Sequence, residues 1–209
     1  RAALRELLGA AGVDAAPGGF VVPATGRRVS WAELAALLVE AGRPGLDEVH
    51  TFAPPTVTWT MGVHAVAVVV DTLTGGTSVR RYGVAHETGP SLNPRVVDGQ
   101  LRGGVAQGIG GALLERVDHD PAAQPLSATL ADYLVPEATD VPAIRLAHLD
   151  APSGLNPLGI RGVGESGIIA SGSAIAAAVD DALEEFGVHV ARHPMTSDHL
   201  LGLIEEARR

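Results

Sequence analysis

The residues best suited to chemistry lie in one short stretch. Asn156-Pro157-Leu158-Gly159-Ile160-Arg161-Gly162-Val163-Gly164-Glu165-Ser166-Gly167 sets a single carboxylate among small residues, with an arginine nearby. Glycines let a ligand approach the backbone closely, and here they leave Glu165 without bulky neighbours. A carboxylate held in such a loop could act as a general base. The competing reading is a solvent-exposed acid in a turn, and the residues themselves leave both open. The spacing Gly162-x-Gly164-x-x-Gly167 also matches a dinucleotide-binding pattern. That pattern needs a buried strand before it and a helix opening within it. Here Pro157 comes first and helical periodicity begins only near Ser173, so the dinucleotide reading is rejected.

A second stretch, Gly103-Gly104-Val105-Ala106-Gln107-Gly108-Ile109-Gly110-Gly111, lies inside a helical pattern carried by Val105, Ile109, Ala112 and Leu113. Each glycine in a helix costs roughly 1 kcal/mol against alanine, so their density needs a reason. One reason is close approach of something large and flat, with backbone N–H groups and Gln107 offered to it. A neutral amide both donates and accepts, which suits a heterocycle edge or an oxo group. The other reason is tight packing of helix against helix. Eight histidines are present. His189, His193 and His199 are separated by Pro194 and a change of element, and no His-x-x-x-His pair falls within one helix, so no metal ligand is assigned to the chain. No Gly-x-Ser-x-Gly elbow is present, and so no hydrolase triad is indicated.

The elements that must position these stretches follow from periodicity and punctuation. Helices are predicted over 2–11, from the capping box Ser30-Trp31-Ala32-Glu33 to Glu40, over 96–117, over 173–186 with Gly187 as the stop, and over 197–207. Phe20 to Val22 and Arg28 to Ser30 read as a small hairpin. Residues 63–71 and 77–87 read as two strands joined at Thr74-Gly75-Gly76. Residues 143–149 and 188–191 read as further strands, 151–172 as a long loop and 42–62 as an irregular crossing.

Composition bounds the chemistry. The 209 residues are 46% hydrophobic and 19% charged, which is a globular balance, while aromatics are only 3%. The core must therefore be built from Ala, Val, Leu and Ile. There is no cysteine, which excludes disulfides, thiolate zinc sites and iron–sulfur ligation by this chain. All 15 basic residues are Arg, so a Schiff-base lysine and a P-loop lysine are excluded. A net charge of −9 without a basic cluster argues against nucleic acid as a partner. The chain opens at Arg1 inside a helical pattern, which predicts a piece of a longer protein. No signal peptide is visible and the longest apolar run, 65–70, is too short to span a bilayer, so a cytoplasmic location is expected.

Five motifs in order carry a resemblance. They are Gly62-Val63-His64 through Val70-Asp71; His86-Glu87-Thr88-Gly89 with Asn93-Pro94; Gly99-Gln100 to Gly110; Asp132-Tyr133-Leu134-x-Pro136; and Asn156 to Gly159 with Gly162-Val163-Gly164-Glu165. The chain resembles the C-terminal part of the molybdopterin-binding large subunit of the xanthine dehydrogenase/aldehyde oxidase/carbon monoxide dehydrogenase family. The likeness runs from about Thr51 to the C-terminus and is looser over the first 50 residues. It implies an α+β (mixed α/β) molybdenum-cofactor-binding domain, with 1–50 completing an upstream subdomain and 51–209 forming the C-terminal one.

The resemblance also implies roles. Family members hydroxylate an electrophilic carbon with water-derived oxygen, and Glu165 matches the general base that takes a proton from the Mo–OH. Gln107 matches the glutamine beside the pterin, and Gly103, Gly104, Gly108, Gly110, Gly162 and Gly164 match its glycine surroundings. The cofactor implied is molybdenum–molybdopterin, in bacterial members usually the cytosine dinucleotide form. An iron–sulfur subunit with [2Fe–2S], often an FAD subunit, the upstream part of the large subunit and a small-molecule substrate are the implied partners. Aldehydes, purines, other N-heterocycles and carbon monoxide all remain open as substrates. Three positions depart from the pattern: Arg161 where Lys is common, Asp98 where Glu is frequent, and Pro90-Ser91-Leu92 for Arg-x-Ile. Two alternatives stand beside the enzyme reading: a non-catalytic scaffold of the same fold, and an unrelated nucleotide-binding domain using Gly162 to Gly167.

Overall fold

The strand Thr77–Glu87 sets the plan of the larger unit. Val79, Tyr82, Val84 and His86 turn inward while Arg80 and Arg81 are exposed. Two consecutive outward residues require a slip in register, and the pairing shifts by one opposite Ala67/Val68. The computed structural model describes residues 2–43, 49 and 51–209. Its elements are α1 (Ala2–Leu8), β1 (Asp14–Ala16), β2 (Gly19–Val22), β3 (Arg27–Ser30), α2 (Trp31–Glu40), β4 (Met61–Val70), β5 (Thr77–Glu87), α3 (Pro94–Leu113), β6 (Ile144–Leu149), α4 (Ser171–Ala182), a single 3₁₀ turn (Glu184–Phe186) and α5 (Ser197–Ala207). Contacts divide the chain into two units, Arg1–Ala53 and Pro54–Arg209.

The smaller unit is an antiparallel sheet of order β1-β2-β3 with α1 and α2. Its core is Leu4, Val13, Val29, Leu34 and Leu38. Ser30 caps α2 as its spacing predicts, its hydroxyl accepting from Glu33 N at 3.1 Å. The strand β1 has no alternating signature in Asp14-Ala15-Ala16 and was not anticipated; it forms because Phe20 and Val21 offer a ladder to pair with.

In the larger unit β4 and β5 pair antiparallel, and β6 joins β5 parallel after the crossover through α3. Gly75 closes the β4–β5 turn at φ +72°, and a side chain there would also strike the backbone of Ser197. One face of the sheet carries Tyr82, Val84 and Ile144. It packs with Leu101, Val105 and Ile109 of α3, Ile175 and Val179 of α4, and Leu200 and Ile204 of α5. Neither tryptophan enters this core.

Several expectations shift. The helix expected over 96–117 runs Pro94–Leu113, opened by Asn93, whose side chain accepts from Val96 N, with Pro94 at the first turn. The helix expected over 173–186 begins at Ser171 and ends at Ala182, and the 3₁₀ turn completes the span before Gly187 at φ +66°. Residues 188–191 form no strand: Val190 N donates to Asp180 Oδ1 at 2.7 Å instead of to a ladder. Of the crossing expected over 42–62, residues 44–48 and 50 lie outside the described residues, and 51–60 carry no regular element before β4 begins at Met61.

The glycines of α3 divide by what a Cβ would meet. At Gly104 it would lie 2.8 Å from the Gly167 backbone, and at Gly108 it would strike the Ser171 side chain. At Gly99 it would meet nothing within 4 Å. Gly104→Ala and Gly108→Ala should each lower stability by about 1–3 kcal/mol through overpacking. Gly99→Ala should raise it by about 0.5–1 kcal/mol through helix propensity. Denaturant unfolding of the three variants against the wild type measures both signs.

Candidate active site

The carboxylate loop is built by its own asparagine. Asn156 Oδ1 accepts from Ile160 N at 3.1 Å and Leu158 N at 3.2 Å, and its Nδ2 donates to Ile160 O at 2.8 Å. This curls 156–160 and delivers Arg161 to the end of β5. Arg161 N donates to Thr88 O at 2.8 Å, and its guanidinium pairs with Glu87 Oε1 at 2.8 Å. The same Glu87 oxygen accepts from Gly89 N at 3.1 Å. The guanidinium also reaches Ala151 O and Trp59 O. The guanidinium thus meets one carboxylate and two carbonyls through Nε and Nη1. The Glu87 side chain is only 9% exposed, so the pair is largely withdrawn from water.

Beyond Arg161 the loop borders a cavity of about 390 Å³. Trp59 and Thr60, Gly62 and His64 of β4, the Gly162–Ser166 segment and Ile169 form its walls. The structure thus brings Gly162, Gly164 and Glu165 together. Among the described residues the Glu165 carboxylate has no hydrogen-bonding or ion-pair partner and is exposed to the cavity. Turn bonds fix its backbone: Ile168 N and Ile169 N donate to Glu165 O at 3.0 and 3.1 Å, and Ser166 N to Val163 O at 3.1 Å.

The predicted glycine-rich segment is placed differently. Gly104 and Gly108 of α3 lie against Gly167 and Ser171, and Gly110 lies against Glu115 and Pro136. These three carry packing within the chain, one of the two reasons their density allowed. Gly103 and Gln107 are exposed, and a Cβ at Gly103 would meet nothing within 4 Å. Neither lines the cavity that holds Glu165.

Sequence reasoning passed over His64, Tyr82 and Ser171. His64 Nδ1 lies 2.9 Å from Tyr82 Oη and its Nε2 lies 3.1 Å from Ser166 O. Tyr82 Oη lies 3.1 Å from Ser171 Oγ, which donates to Gly167 O at 2.7 Å. The missed signal is a histidine at an inward position of β4, where a polar side chain must find partners. Burial pushes the His64 ring below the ordinary histidine range, against the opposing pull of the Ser166 carbonyl, and pushes the Tyr82 phenol up. His86, 1% exposed, faces Gly62 with neither ring nitrogen bonded among the described residues. Burial first, then the neighbouring His148 and His64, hold it low, while Glu87 pulls the other way.

The family model described as "Molybdopterin cofactor-binding domain" matches residues 1–142. The chain belongs to the molybdopterin cofactor-binding domain family. It is 36% identical over 190 residues to the 6-hydroxypseudooxynicotine dehydrogenase complex subunit gamma of Paenarthrobacter nicotinovorans, covering 88% of this chain and 24% of that one. It is 36% identical over 154 residues to the carbon monoxide dehydrogenase large chain of Hydrogenophaga pseudoflava, covering 74% and 19%. Among solved structures, quinoline 2-oxidoreductase from Pseudomonas putida 86 superposes with a TM-score of 0.83 at 38% identity, over 97% of this chain and 27% of that one. The chain therefore spans about a quarter or less of the length of these relatives. The mixed α+β fold is that of a molybdopterin cofactor-binding domain. No helix among the described residues is long and apolar enough to cross a membrane.

Two outcomes follow for this molybdopterin-binding domain. Glu87→Gln leaves the Arg161 guanidinium without its countercharge at a mostly buried position and should cost about 3 kcal/mol, measured by denaturant unfolding. The depressed histidines set a pH dependence. An unfolded histidine titrates near 6.5, while folded His64, His86 and His199 titrate lower. The unfolded chain therefore binds more protons as pH falls below about 6.5, and stability declines from there toward the folded values. Thermal melts from pH 8 to 5 should show this loss, and His86→Leu should flatten it without lowering stability at pH 8.

Proposed function

We propose that this chain supplies the carboxylate side of the cofactor pocket in a molybdenum hydroxylase, with Glu165 as the general base. The observation that carries the reading is a carboxylate with no structural partner at the wall of a cavity, on a loop fastened at both ends. Exposed acids such as Asp150 and Asp181 also lack a partner, but Glu165 is the one carboxylate among the described residues that line this cavity.

The residues present fit a pterin group. Gly103 leaves the surface of α3 bare to its backbone, and the exposed Gln107 one turn on offers a donor and an acceptor. Gly162 and Gly164 leave the loop equally open beside Glu165. Gly103, Gln107, Gly162 and Gly164 would therefore border the cofactor, and Gly104, Gly108 and Gly110 would support the helix that does so. When bound, the molybdenum–pterin group supplies the redox chemistry of a water-dependent hydroxylation. Glu165 binds the released proton at a carboxylate oxygen, and the Arg161–Glu87 pair holds the loop that carries it.

The names of the relatives favour an N-heterocycle as substrate over an aldehyde: one is a nicotine 6-hydroxylase large subunit and another a quinoline 2-oxidoreductase. Electrons must leave through groups this cysteine-free chain cannot ligate. That calls for a [2Fe–2S] carrier outside it, to which we add an FAD subunit, and relatives named as a complex subunit and as a large chain support such an assembly. The cytosine dinucleotide form of the cofactor and a cytoplasmic location complete the proposal.

In the full-length protein Glu165→Gln should keep molybdenum and pterin content at wild-type levels while turnover falls by about 10²–10⁴-fold. Retained turnover refutes the base. Gly103→Ala should leave unfolding stability equal or higher but reduce the pterin retained on purification. Unchanged pterin removes Gly103 from the pocket.

A further inference from the structure

The backbone around Glu165 is held by side chains from across the domain, and hydrogen counting assigns their states. Ser166 O is a carbonyl and only accepts, so His64 Nε2, 3.1 Å away, carries the proton of that bond. Gly167 O likewise only accepts, so the Ser171 hydroxyl proton is committed to it at 2.7 Å. A neutral His64 then presents a lone pair at Nδ1, and the hydroxyl of Tyr82 at 2.9 Å is the proton available to it. That leaves the 3.1 Å approach of Tyr82 Oη to Ser171 Oγ without a proton. Three protons serve four contacts. A fourth proton would have to sit on His64 Nδ1, and burial of the ring opposes that charge. In either state the bond to Ser166 O survives.

We propose that His64 is the positioning residue of the Glu165 loop, a neutral imidazole that donates Nε2–H to the Ser166 carbonyl while the Tyr82 hydroxyl fixes its tautomer. The inference rests on Glu165 being the base for its consequence in catalysis, but not for its structural content. Two consecutive carbonyls directly after Glu165, those of 166 and 167, are gripped by His64 and Ser171, and the Tyr82 hydroxyl lies between the two grips, its proton serving His64. Gln100 of α3 adds a longer contact to Gly164 O at 3.4 Å on the other side. The peptide plane before Glu165 is thereby held from α3, and the planes after Ser166 and Gly167 from β4 and α4, which confines the short segment that carries the carboxylate.

Substitutions that copy one ring nitrogen at a time separate this role from filling space. Gln places an amide N–H near the position of Nε2, Asn places one near Nδ1, and Leu fills the site with neither. Amide hydrogen exchange of Ser166, Ile168 and Ile169 in the full-length protein is the primary measurement, because these N–H groups close the turns around Glu165. His64→Leu and His64→Asn should exchange about tenfold faster there, the worth of one lost hydrogen bond, while His64→Gln stays within about threefold of the wild type. Turnover should follow the same order, with kcat falling in Leu and Asn at nearly unchanged KM and restored in Gln. Equal exchange in Leu and Gln overturns the inference, as does a loss confined to KM. Should His64→Leu fail to fold, Tyr82→Phe keeps the ring and removes only the hydroxyl. Faster exchange at the same three amides is then expected, and wild-type exchange overturns the assignment. If Glu165→Gln retains turnover the base reading fails, and the exchange order alone decides the role of His64.

Discussion

An ideal Cβ on Gly104 falls 2.8 Å from the backbone of Gly167, and one on Gly167 would lie 3.0 Å from Gln100 O. Helix α3 and the segment entering α4 thus approach to backbone contact, with Gly108 and Ser171 repeating the approach one turn on. This contact fixes where the carboxylate loop ends. Once Gly167 is seated on α3, Glu165 has only two residues of freedom before the wall of the cavity. Glycine in a helix is costly, yet Leu101, Val105 and Ile109 on the adjoining stripe are fully buried against Ile175 and Val179. Burying each such side chain contributes about 1.5–3 kcal/mol, which offsets the propensity loss at the contact glycines.

The same strand serves core and site. Along β5 the inward residues run Val79, Tyr82, Val84 and then His86, followed by the buried Glu87 and Thr88. The apolar half anchors the sheet on its helices. The polar end receives the loop, with Glu87 gripping Arg161 and Tyr82 reaching His64 and Ser171. Each grip uses an arrangement that a shorter or rounder side chain does not reproduce. Arg161 spans a carboxylate and two carbonyls, and His64 bridges a phenol and a carbonyl on opposite sides of one ring. Rigidity at the loop therefore comes from directional bonds, in a domain whose aromatic content is too low to lock it by bulk.

Local signals carried much of this fold. The β4–β5 hairpin was readable because Val66, Val68 and Val70 alternate against Thr74-Gly75-Gly76, and α2 because Ser30 and Glu33 form a cap. The loop over 151–172 was readable because glycine, proline and asparagine exclude other structure. Residues 188–191 failed for a physical reason: Val188 and Val190 alternate like a strand, but Asp180 takes the Val190 amide and no strand among the described residues pairs with them. For the candidate site, the spacing around Glu165 identified the loop but not its fastenings. His64 and Ser166 are 102 residues apart, and Tyr82 and Ser171 are 89 apart. No pattern along the chain registers a pairing that only the closure of sheet on helix creates.

The glycines of α3 are the case where sequence and packing must be combined. Their density allowed two explanations, a ligand or a tight internal contact, and the structure divides them between faces. Gly104, Gly108 and Gly110 have the space of a side chain already filled by Gly167, Ser171, Glu115 and Pro136. Gly99, Gly103 and Gly111 have nothing within 4 Å. At the filled positions the helix gives up propensity and gains contact, so the substitution to glycine explains itself. At the open positions it gives up about 1 kcal/mol each with no contact in return. No contact among the described residues explains glycine there, and the cofactor placement proposed above would give these positions a use. Gln107 lies on that exposed side, an uncharged donor and acceptor. A flat, polar group laid along α3 satisfies both observations, and it would reach the domain beside the helix whose other face positions the loop of Glu165.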